Sequence, residues 1–409
     1  MKTIWLVNPY GPIEGENWRE YSFNQFGKYL SKQGYRVIWW TANFSHHFKK
    51  YRSEGLKDVI VDNNFLIRLI PTSSYKKNFG MGRFKKDFVF AKNAYKEFLK
   101  EEIPDLIIAA ENPLTMGKPS FKYAKENNIP YIYDQMDIWP EFIVKSLPVP
   151  LNKVANAMFI SVYKKRKEIY DNLSGAIALG KHYLEFMMSV SPSINEKPNA
   201  LVYNGIDVNE FRGLLNASVN NPKVNIQKSS DEIWCIFAGT LGPSYDIETI
   251  IKCAEILKSE KKNNFKFLIA GSGPLEEAVR KAENNLGNVI YLGKLLPSEL
   301  IPIYGKCDIG LATYTAGSNV DMPDKLYDYT AAGLAVVNSL CGEIKEHIEE
   351  SNIGRNYVAG DSSNLKDVLL SLNEKAVLSE IKQNSYNKAI CFDKNVQNEK
   401  LLNVIQRII

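Results

Sequence analysis

Residues 234–258, which read WCIFAGTLGPSYDIETIIKCAEILK, show the unit from which the fold is built. Trp234–Ala238 is a short apolar run typical of a buried strand, and Ile247–Lys258 has the periodicity of an amphipathic helix. Two glycines and a proline separate them. A strand followed closely by a helix is typical of parallel sheets that are covered by helices on both faces.

The same order of strand and helix occurs in two blocks along the chain. In the first block the predicted strands are Thr3–Val7, Arg36–Thr41, Leu66–Leu69, Asp105–Ala110, Tyr131–Asp134 and Gly175–Leu179, with a helix over Asn17–Gln33. In the second block they are Trp234–Ala238, Phe267–Ala270, Val289–Leu292, Ile309–Thr313 and Ala335–Asn338. We therefore predict an α/β protein with two doubly wound, Rossmann-like domains.

The length and a polar stretch support this division into two domains. A chain of 409 residues is longer than one hydrophobic core usually supports. The stretch Asn216–Asp231 is polar and lacks periodicity, which is typical of an irregular connection. We place the boundary between residues 200 and 230. Two such sheets facing one another would leave a cleft between the domains, a common location for small-molecule sites.

The composition excludes several classes of protein. With 45% apolar and 24% charged residues the chain is globular, and a net charge of +5 is too weak to indicate a nucleic-acid binder. The five cysteines form no C-x-x-C pair and there are four histidines, which disfavours disulfide frameworks and metal sites. No stretch reaches the roughly 18 apolar residues that span a bilayer, and Met1–Val7 lacks a signal-peptide core, so we expect a cytoplasmic protein.

Basic residues cluster in the first half of the chain. The runs are Lys49–Arg52, Lys76–Lys77, Arg83–Lys86 and Lys164–Lys167, and the aromatics Tyr51, Tyr75, Phe79 and Phe84 lie among them or beside them. One interpretation is an ordinary solvated surface. The other is a surface that meets anionic lipid or a lipid-linked diphosphate, because basic and aromatic side chains together favour membrane interfaces.

Two loops of the first block carry candidate functional residues, because parallel sheets bind ligands at the carboxyl ends of their strands. Gly15 follows the first strand and would let the backbone approach a ligand, although a plain loop explains it equally well. No G-x-G-x-x-G motif is present, which disfavours a nicotinamide dinucleotide site. Asp137 and Glu141, beside Trp139-Pro140, are candidates for a general base whose pKa is raised by apolar neighbours. The alternative is a helix cap and an acidic first turn.

In the second block, three junctions favour phosphate binding. The turn Gly239–Asp246 offers glycines, hydroxyls and a helix N-terminus, which suit a diphosphate held by backbone N–H groups. Ala270–Pro274 has the same form, or is simply a tight turn. In Asn319–Val337, Pro323 marks a helix start, Lys325 could reach a phosphate, and Asp328 could bind ribose hydroxyls. The alternative for the last two is a surface Lys–Asp pair.

Taken in order, these segments resemble the retaining glycosyltransferases of the GT-B fold, specifically family 4. Val202–Asp207 with Phe211 is similar to the family's Asn-Gly-(Ile/Val)-Asp…Phe segment, and Leu268–Pro274 to its Gly-x-Gly-Pro turn. Pro323–Gly333 is similar to its Pro-x-Lys-x-x-Glu-Tyr-x-Ala-x-Gly helix. Asp137–Glu141 resembles the Asp-x-Trp-Pro-Glu of the subgroup that builds bacterial O-antigen and capsule, which includes amino-sugar and fucosaminyl transferases.

The resemblance implies that the two domains bind different substrates. Residues 1–200 would bind an acceptor, residues 201–390 a nucleotide-diphospho-sugar, and a helix in residues 391–409 would cross back to the first domain. Sugar transfer would retain the anomeric configuration and need neither a metal nor a cofactor, and UDP is the nucleotide that we expect first. The acceptor would be a glycan or a polyprenyl-diphosphate-linked sugar. The segment Phe79–Phe90 lies where acceptor-domain loops of the family face the membrane, so we expect peripheral attachment there.

The resemblance also implies roles for single residues. Lys325 would neutralise the departing diphosphate, Asp328 would bind ribose, and Asp137, with Glu141 second, would assist the acceptor hydroxyl or touch the transferred sugar. The implied donor-binding residues are Gly15, Gly239, Thr240, Ser244, Tyr245, Gly271, Leu295, Asp321, Pro323, Lys325, Leu326 and Asp328.

The chain also departs from the family pattern. Thr240 and Ser244 stand where the family often has Arg and Lys, Asp328 replaces a Glu, Val320 stands where a second Glu is usual, and Met136 replaces a His. These differences keep two alternatives open. One is a non-catalytic, nucleotide-sugar-binding partner in a polysaccharide assembly complex. The other is a GT-B epimerase that rearranges its nucleotide sugar.

Overall fold

The chain folds into two compact units. The computed structural model describes residues 1–16, 18–76, 80–111, 117–141, 144, 147–217, 225–318 and 320–409. Unit 1 comprises Met1–Asn204 together with Gln397–Ile409, and unit 2 comprises Gly205–Val396. The chain therefore passes from unit 1 to unit 2 at Asn204–Gly205. The polar stretch at residues 216–231 lies inside unit 2, and its residues 218–224 are outside the described part.

Unit 1 contains an eight-stranded sheet. Its strands are β1 (Thr3–Val7), β2 (Arg36–Ala42), β3 (Lys57–Ile60), β4 (Phe65–Ile70), β5 (Leu106–Ala110), β6 (Tyr131–Gln135), β7 (Gly175–Ala178) and β8 (Asn199–Leu201). Their order in the sheet is β3-β4-β2-β1-β5-β6-β7-β8. The β3–β4 pair is antiparallel, and the described pairs from β4 to β8 are parallel.

Helices cover both faces of this sheet. They are α1 (Ser22–Lys32), α2 (Met81–Phe98), α3 (Gly117–Glu126), α4 (Leu151–Met158), α5 (Ile160–Asp171) and α6 (Lys181–Val190). Asn17, the first residue of the predicted helix over 17–33, lies outside the described residues. On one face Trp5, Trp40 and Phe98 pack together, with the Trp5 and Trp40 ring centroids 4.9 Å apart. Burial of these large rings contributes strongly to the stability of this layer.

Unit 2 contains a six-stranded sheet in which the pairs are parallel. Its strands are β9 (Ile233–Ala238), β10 (Phe265–Ala270), β11 (Val289–Gly293), β12 (Ile309–Ala312), β13 (Ala335–Asn338) and β14 (Gly354–Asn356), in the order β11-β10-β9-β12-β13-β14. Its helices are α7 (Val208–Leu214), α8 (Ile247–Ser259), α9 (Glu276–Leu286), α10 (Pro297–Tyr304), α11 (Asp324–Ala331), α12 (Glu343–Ser351), α13 (Ser362–Ser371) and α14 (Lys375–Lys388). β9 lies beside both β10 and β12, so the loops that follow these three strands share one edge.

The last helix, α15 (Lys394–Gln406), begins in unit 2 and ends in unit 1. At its start, the Lys394 ammonium lies 3.0 Å from the Asp207 carboxylate. Further along, Leu401 and Ile405 are fully buried in the second hydrophobic layer of unit 1, with Ile4 and Leu6 of β1. The apolar stripe of this helix therefore completes the core of unit 1.

The predicted α/β architecture is confirmed. Each of the eleven predicted strands is present, with ends within two residues of the prediction. The prediction omitted β3, β8 and β14, because β3 is polar and largely exposed and the other two have only three residues each. Within the described ranges, no helix is both long and apolar enough to cross a membrane.

Candidate functional site

The predicted donor-binding residues of unit 2 lie mainly at the carboxyl edge of its sheet. Gly239, Thr240, Ser244 and Tyr245 follow β9, and Gly271 follows β10. The remaining ones lie after β11 (Leu295), before α11 (Asp321 and Pro323) or within α11 (Lys325, Leu326 and Asp328). Strand order thus brings the β9 and β10 loops together, as expected for a doubly wound sheet.

Lys325 is the centre of this site. Its side chain is buried, and its Nζ donates a hydrogen bond of 2.6 Å to the carbonyl oxygen of Ala238, the last residue of β9. Nζ also lies 4.8 Å and 4.7 Å from the ring centroids of Phe237 and Tyr245. Burial lowers the pKa of Lys325 to about 8, although Asp328 and Asp324 oppose the shift. The ammonium group is therefore held inside unit 2, beside the loop that follows β9.

Two glycines allow close packing around the β9 loop. A Cβ added at Gly239 would lie 2.5 Å from Nζ of Lys325. A Cβ added at Gly271 would lie 1.8 Å from the carbonyl oxygen of Gly239. The absence of a side chain at Gly271 therefore lets the two loops approach each other, and its absence at Gly239 leaves room for the Lys325 ammonium group.

Gly271→Ala should destabilise the protein by about 2–4 kcal/mol, because it combines backbone overlap with a φ of +143°. Urea unfolding followed by circular dichroism measures this loss. The matched control is Gly317→Ala, since nothing lies within 4 Å of a Cβ added there. Equal stability of the two variants would contradict the close approach of the loops.

Three amides of the β9 loop donate hydrogen bonds within unit 2. The Gly239 and Leu241 amides donate to the carbonyl oxygens of Ala270 and Ser272, both at 3.0 Å, and the Tyr245 amide donates to Gly242 at 3.0 Å. These three amides are therefore engaged within the protein, and diphosphate binding by the other backbone N–H groups of this loop stays a prediction. The side chains of Thr240 and Ser244 are exposed at the same loop.

The residues around Lys325 have distinct structural positions. Leu326 is fully buried, and its amide donates to the Pro323 carbonyl oxygen at 3.0 Å. Asp321 is also buried, and its carboxylate accepts a 2.6 Å hydrogen bond from the amide of Glu343, at the start of α12. Asp321 therefore caps α12. Asp328 is half-buried one turn after Lys325, and Leu295 is half-buried beyond the end of β11.

In unit 1, Asp137 and Glu141 have different environments. Asp137 is half-buried after β6, and its carboxylate accepts hydrogen bonds of 2.9 Å from the Ile138 amide and the Trp139 indole. Burial raises the pKa of Asp137, although these hydrogen bonds oppose the shift. Glu141 instead accepts two hydrogen bonds, at 2.8 Å and 2.5 Å, from the Arg166 guanidinium. Asp137 is thus the better candidate for a base, because the charge of Glu141 is neutralised by its partner.

Two buried carboxyl groups were missed by the sequence reasoning. Glu111 directly follows β5 and Asp134 lies in β6, and both side chains are essentially inaccessible. None of their four carboxyl oxygens has a hydrogen-bond partner among the described residues. Burial raises the pKa of Glu111 well above its ordinary value, with Asp137 contributing, and raises the pKa of Asp134 to about 8. A carboxyl residue at the end of a predicted apolar strand was the available signal for both.

The other unit 1 expectations have mixed outcomes. Gly15 lies in the loop after β1 with a φ of +83°, and nothing lies within 4 Å of a Cβ added there. Phe90, at the end of the predicted membrane-facing segment, is buried in the core, because residues 81–90 form the first half of α2 and not a loop. Lys77 and Phe79 lie outside the described residues. Three cations of the basic runs are not on the surface: Arg52, Lys86 and Arg166 are buried. In the described part of the chain, no group of three or more His, Cys, Asp and Glu side chains is arranged to hold a metal ion.

The comparison with protein families matches part of unit 2. Residues 232–375 match the family model described as "Glycosyl transferases group 1". A stretch of 114 residues is 32% identical to the UDP-glycosyltransferase TURAN of Arabidopsis thaliana, and covers 27% of this chain and 24% of that protein. The match therefore spans about a quarter of this relative. Unit 2 contains a glycosyltransferase group 1 domain, which includes the β9 and β10 loops and Lys325.

Solved structures are similar over the whole chain. Sucrose-phosphate synthase from Thermosynechococcus elongatus covers 100% of this chain and 99% of its own, with a TM-score of 0.72 and 13% identity. The structure of Anabaena HepE in complex with UDP covers 99% of this chain and 100% of its own, with a TM-score of 0.68 and 14% identity. The trehalose-6-phosphate protein from E. coli bound with UDP-2-fluoro glucose covers 100% of both chains, with a TM-score of 0.73 and 11% identity. At these identities the likeness shows the fold, two Rossmann-like units with parallel sheets, which is that of GT-B glycosyltransferases.

Proposed function

We propose that this protein is a retaining, metal-independent glycosyltransferase that moves a hexosyl or N-acetylhexosaminyl group from a nucleotide-diphospho-sugar to a glycan or polyprenyl-diphosphate-linked acceptor. The observation that carries the proposal is the buried ammonium group of Lys325, held at the carboxyl edge of the sheet inside a glycosyltransferase group 1 domain. Burying a charge costs free energy, which favours a functional role for this ammonium group. Departure of a nucleoside diphosphate develops negative charge that the group would stabilise.

UDP is the nucleotide that we propose. The Anabaena HepE structure contains UDP, and the E. coli structure contains UDP-2-fluoro glucose. The choice of UDP rests on analogy of fold with these two proteins. We further propose membership of the family 4 subgroup that builds bacterial surface polysaccharides such as O-antigen and capsule, on the resemblance of Asp137–Glu141 to its Asp-x-Trp-Pro-Glu motif.

The described geometry supports a role for each group. We propose that Lys325 binds the diphosphate, with the exposed hydroxyls of Thr240 and Ser244 as further donors. The Gly239, Leu241 and Tyr245 amides are already engaged within the protein. The half-buried Asp328 would accept hydrogen bonds from the ribose. Asp137 would accept the proton of the attacking hydroxyl, because its raised pKa makes it a stronger base than an ordinary carboxylate.

A panel of nucleoside diphosphates and their sugars tests the proposal. We expect UDP and one UDP-sugar to raise the melting temperature, because ligands that bind only the folded state stabilise it. NMR of the reaction with an added acceptor should then show a product with the donor's anomeric configuration. Product from donor alone would favour the epimerase. Binding without turnover across a broad acceptor panel would favour the non-catalytic partner, and no binding at all would contradict all three.

We also propose that unit 1 attaches to the inner face of the cell membrane. Exposed apolar side chains lie beside basic ones there: Phe48 and Tyr51 adjoin Lys50, and Phe84 adjoins Lys85. Amphipathic surfaces of this kind bind lipid interfaces, more strongly when the lipid is anionic.

A further inference from the structure

Lys325 is a buried cation that is not hydrogen-bonded to a carboxylate. Among the described residues, its one hydrogen bond is the 2.6 Å donation to the carbonyl oxygen of Ala238. Asp328 and Asp324 favour its charged form through their charge alone. An ammonium group carries three donors, and burying them costs free energy unless other groups compensate. The groups around Lys325 therefore decide how firmly it keeps its proton.

Three aromatic rings lie close to this ammonium group. The Lys325 Nζ is 4.7 Å from the ring centroid of Tyr245, 4.8 Å from that of Phe237 and 5.9 Å from that of Tyr314. A cation within about 6 Å of an aromatic ring is attracted to its face, and more strongly where water is excluded. Phe237 is fully buried and Tyr314 is nearly so. We refer to these three rings as the aromatic cage.

The rings of the cage support one another across two loops. Tyr245 lies in the loop after β9, and Tyr314 lies just beyond the end of β12. Their ring centroids are 4.9 Å apart, and those of Phe237 and Tyr245 are 5.5 Å apart. The residues next to the two tyrosines join the loops, because the Thr315 amide donates to the Ser244 carbonyl oxygen at 3.2 Å.

The backbone of Tyr314 is fixed from two more directions. The Tyr314 amide donates to the Ser339 hydroxyl at 2.7 Å, and this hydroxyl donates to the Tyr314 carbonyl oxygen at 2.8 Å. The preceding residue, Thr313, accepts a 3.4 Å hydrogen bond from the Asp246 amide. The position of the Tyr314 ring is therefore set by the folded core of unit 2.

Burial and the cage act on the charge of Lys325 in opposite directions. Burial lowers the pKa of Lys325 to about 8, and Asp328 and Asp324 oppose this shift. The other titratable groups that face it are the cage residues Tyr245 and Tyr314. Burial raises the pKa of Tyr314 well above its ordinary value, so its ring stays neutral when Lys325 titrates. The face of a neutral ring attracts an ammonium group but not an amine, so the cage favours the charged form.

We propose that Phe237, Tyr245 and Tyr314 form a cation-binding cage that keeps the Lys325 ammonium group charged for the diphosphate. Tyr314, which the sequence did not indicate, acts through Lys325 and is therefore a positioning residue. The identity of the ligand rests on the proposed function, whereas the effect of the cage on Lys325 does not.

NMR of the full chain with isotope-labelled lysine side chains tests the cage without any ligand. The Lys325→Met variant assigns the Lys325 signal. Tyr314→Leu removes the ring face but keeps the position apolar, so we expect the midpoint of the Lys325 titration to fall by about one pH unit. Tyr314→Phe keeps the ring and should titrate like the wild type. The matched control is Tyr304→Leu, because the Tyr304 ring is buried in unit 2 but packs on Phe211.

A second variant covers the case in which Tyr314→Leu does not fold. Tyr245 is only half-buried, so its replacement by Leu should be tolerated more easily. Because the Tyr245 ring is nearer to the Lys325 Nζ than the Tyr314 ring is, Tyr245→Leu should lower the midpoint by at least as much.

UDP binding at two pH values connects the cage to the ligand. If only charged Lys325 binds the diphosphate, a midpoint lowered by one pH unit weakens UDP binding by about tenfold at pH 9 but less than about twofold at pH 6.5. A merely structural defect would weaken binding equally at both. We therefore expect Tyr314→Leu to lose UDP affinity mainly at pH 9, and Tyr314→Phe to retain it.

The sign of the change separates the cage from simple burial. If the rings acted only by excluding water, their loss would raise the pKa of Lys325 towards the ordinary value of lysine. A raised or unchanged midpoint in the leucine variants of Tyr314 and Tyr245 would overturn the inference, as would an equal fall in Tyr304→Leu. Equal losses of UDP affinity at both pH values would contradict the role of the cage in binding. A lowered midpoint in a protein that UDP does not stabilise would contradict the proposed function and leave the cage standing.

Discussion

Lys325→Met should lower kcat/KM by about 10²–10³-fold and weaken UDP binding by about 1.5–3 kcal/mol. The ammonium group is the cation that we propose to meet the leaving diphosphate, and the Met side chain retains most of the length of Lys without the charge. Initial rates with the sugar donor found in the nucleotide panel give the first number, and isothermal titration calorimetry gives the second.

The stability of the Lys325→Met variant distinguishes a functional loss from misfolding. Because burial lowers the pKa of Lys325 to about 8, the unfolded chain binds this proton more tightly than the folded one. Lys325 should therefore add to the free energy of unfolding of the wild type between about pH 8 and pH 10.5, and this contribution should be absent in the variant. At pH 7 the variant should be at least as stable as the wild type.

The pH dependence of UDP affinity gives a further signature. A bound diphosphate would raise the pKa of Lys325 above its value in the free protein, so binding should weaken as the pH rises above about 8. The variant should lack this component. A matched control is Lys294→Met, an exposed cation of unit 2. If Lys325→Met and Lys294→Met bind UDP equally well, the proposed role of Lys325 is wrong.

Asp137→Asn should lower turnover by about 10²–10⁴-fold while leaving UDP affinity unchanged. The amide keeps the size of the carboxylate but cannot accept the proton of the acceptor hydroxyl. Because burial disfavours the charged form of Asp137, the neutral replacement should not destabilise the fold. Single-turnover rates, UDP titrations and the melting temperature separate these effects.

Glu141→Gln is the natural comparison for this variant. It leaves the buried Arg166 guanidinium without its charged partner, so we expect loss of stability before loss of chemistry. Turnover within about threefold of wild type in Asp137→Asn would exclude Asp137 as the base.

Much of the candidate site could be anticipated from local sequence. Lys325 follows a proline that starts a helix, and Gly239 and Gly271 follow apolar runs that form β9 and β10. These patterns are local, because strand and helix periodicity and glycine turns are set by neighbouring residues. The burial of single side chains was harder to predict from the sequence. Lys86 and Arg166 belong to basic runs that are typical of a solvated surface, yet both are buried.

The sequence alone determined the two blocks of alternating strands and helices, and hence the loops in which ligand-binding residues must lie. Only the tertiary structure decided which of those residues face one another. Ala238 and Lys325 are 87 positions apart, Glu141 and Arg166 are 25 apart, and Tyr10 and Asp87 are 77 apart. Their pairing depends on strand order and on helix packing across each sheet. These arrangements set the burial and the charge of each group through contacts that no short stretch of sequence contains.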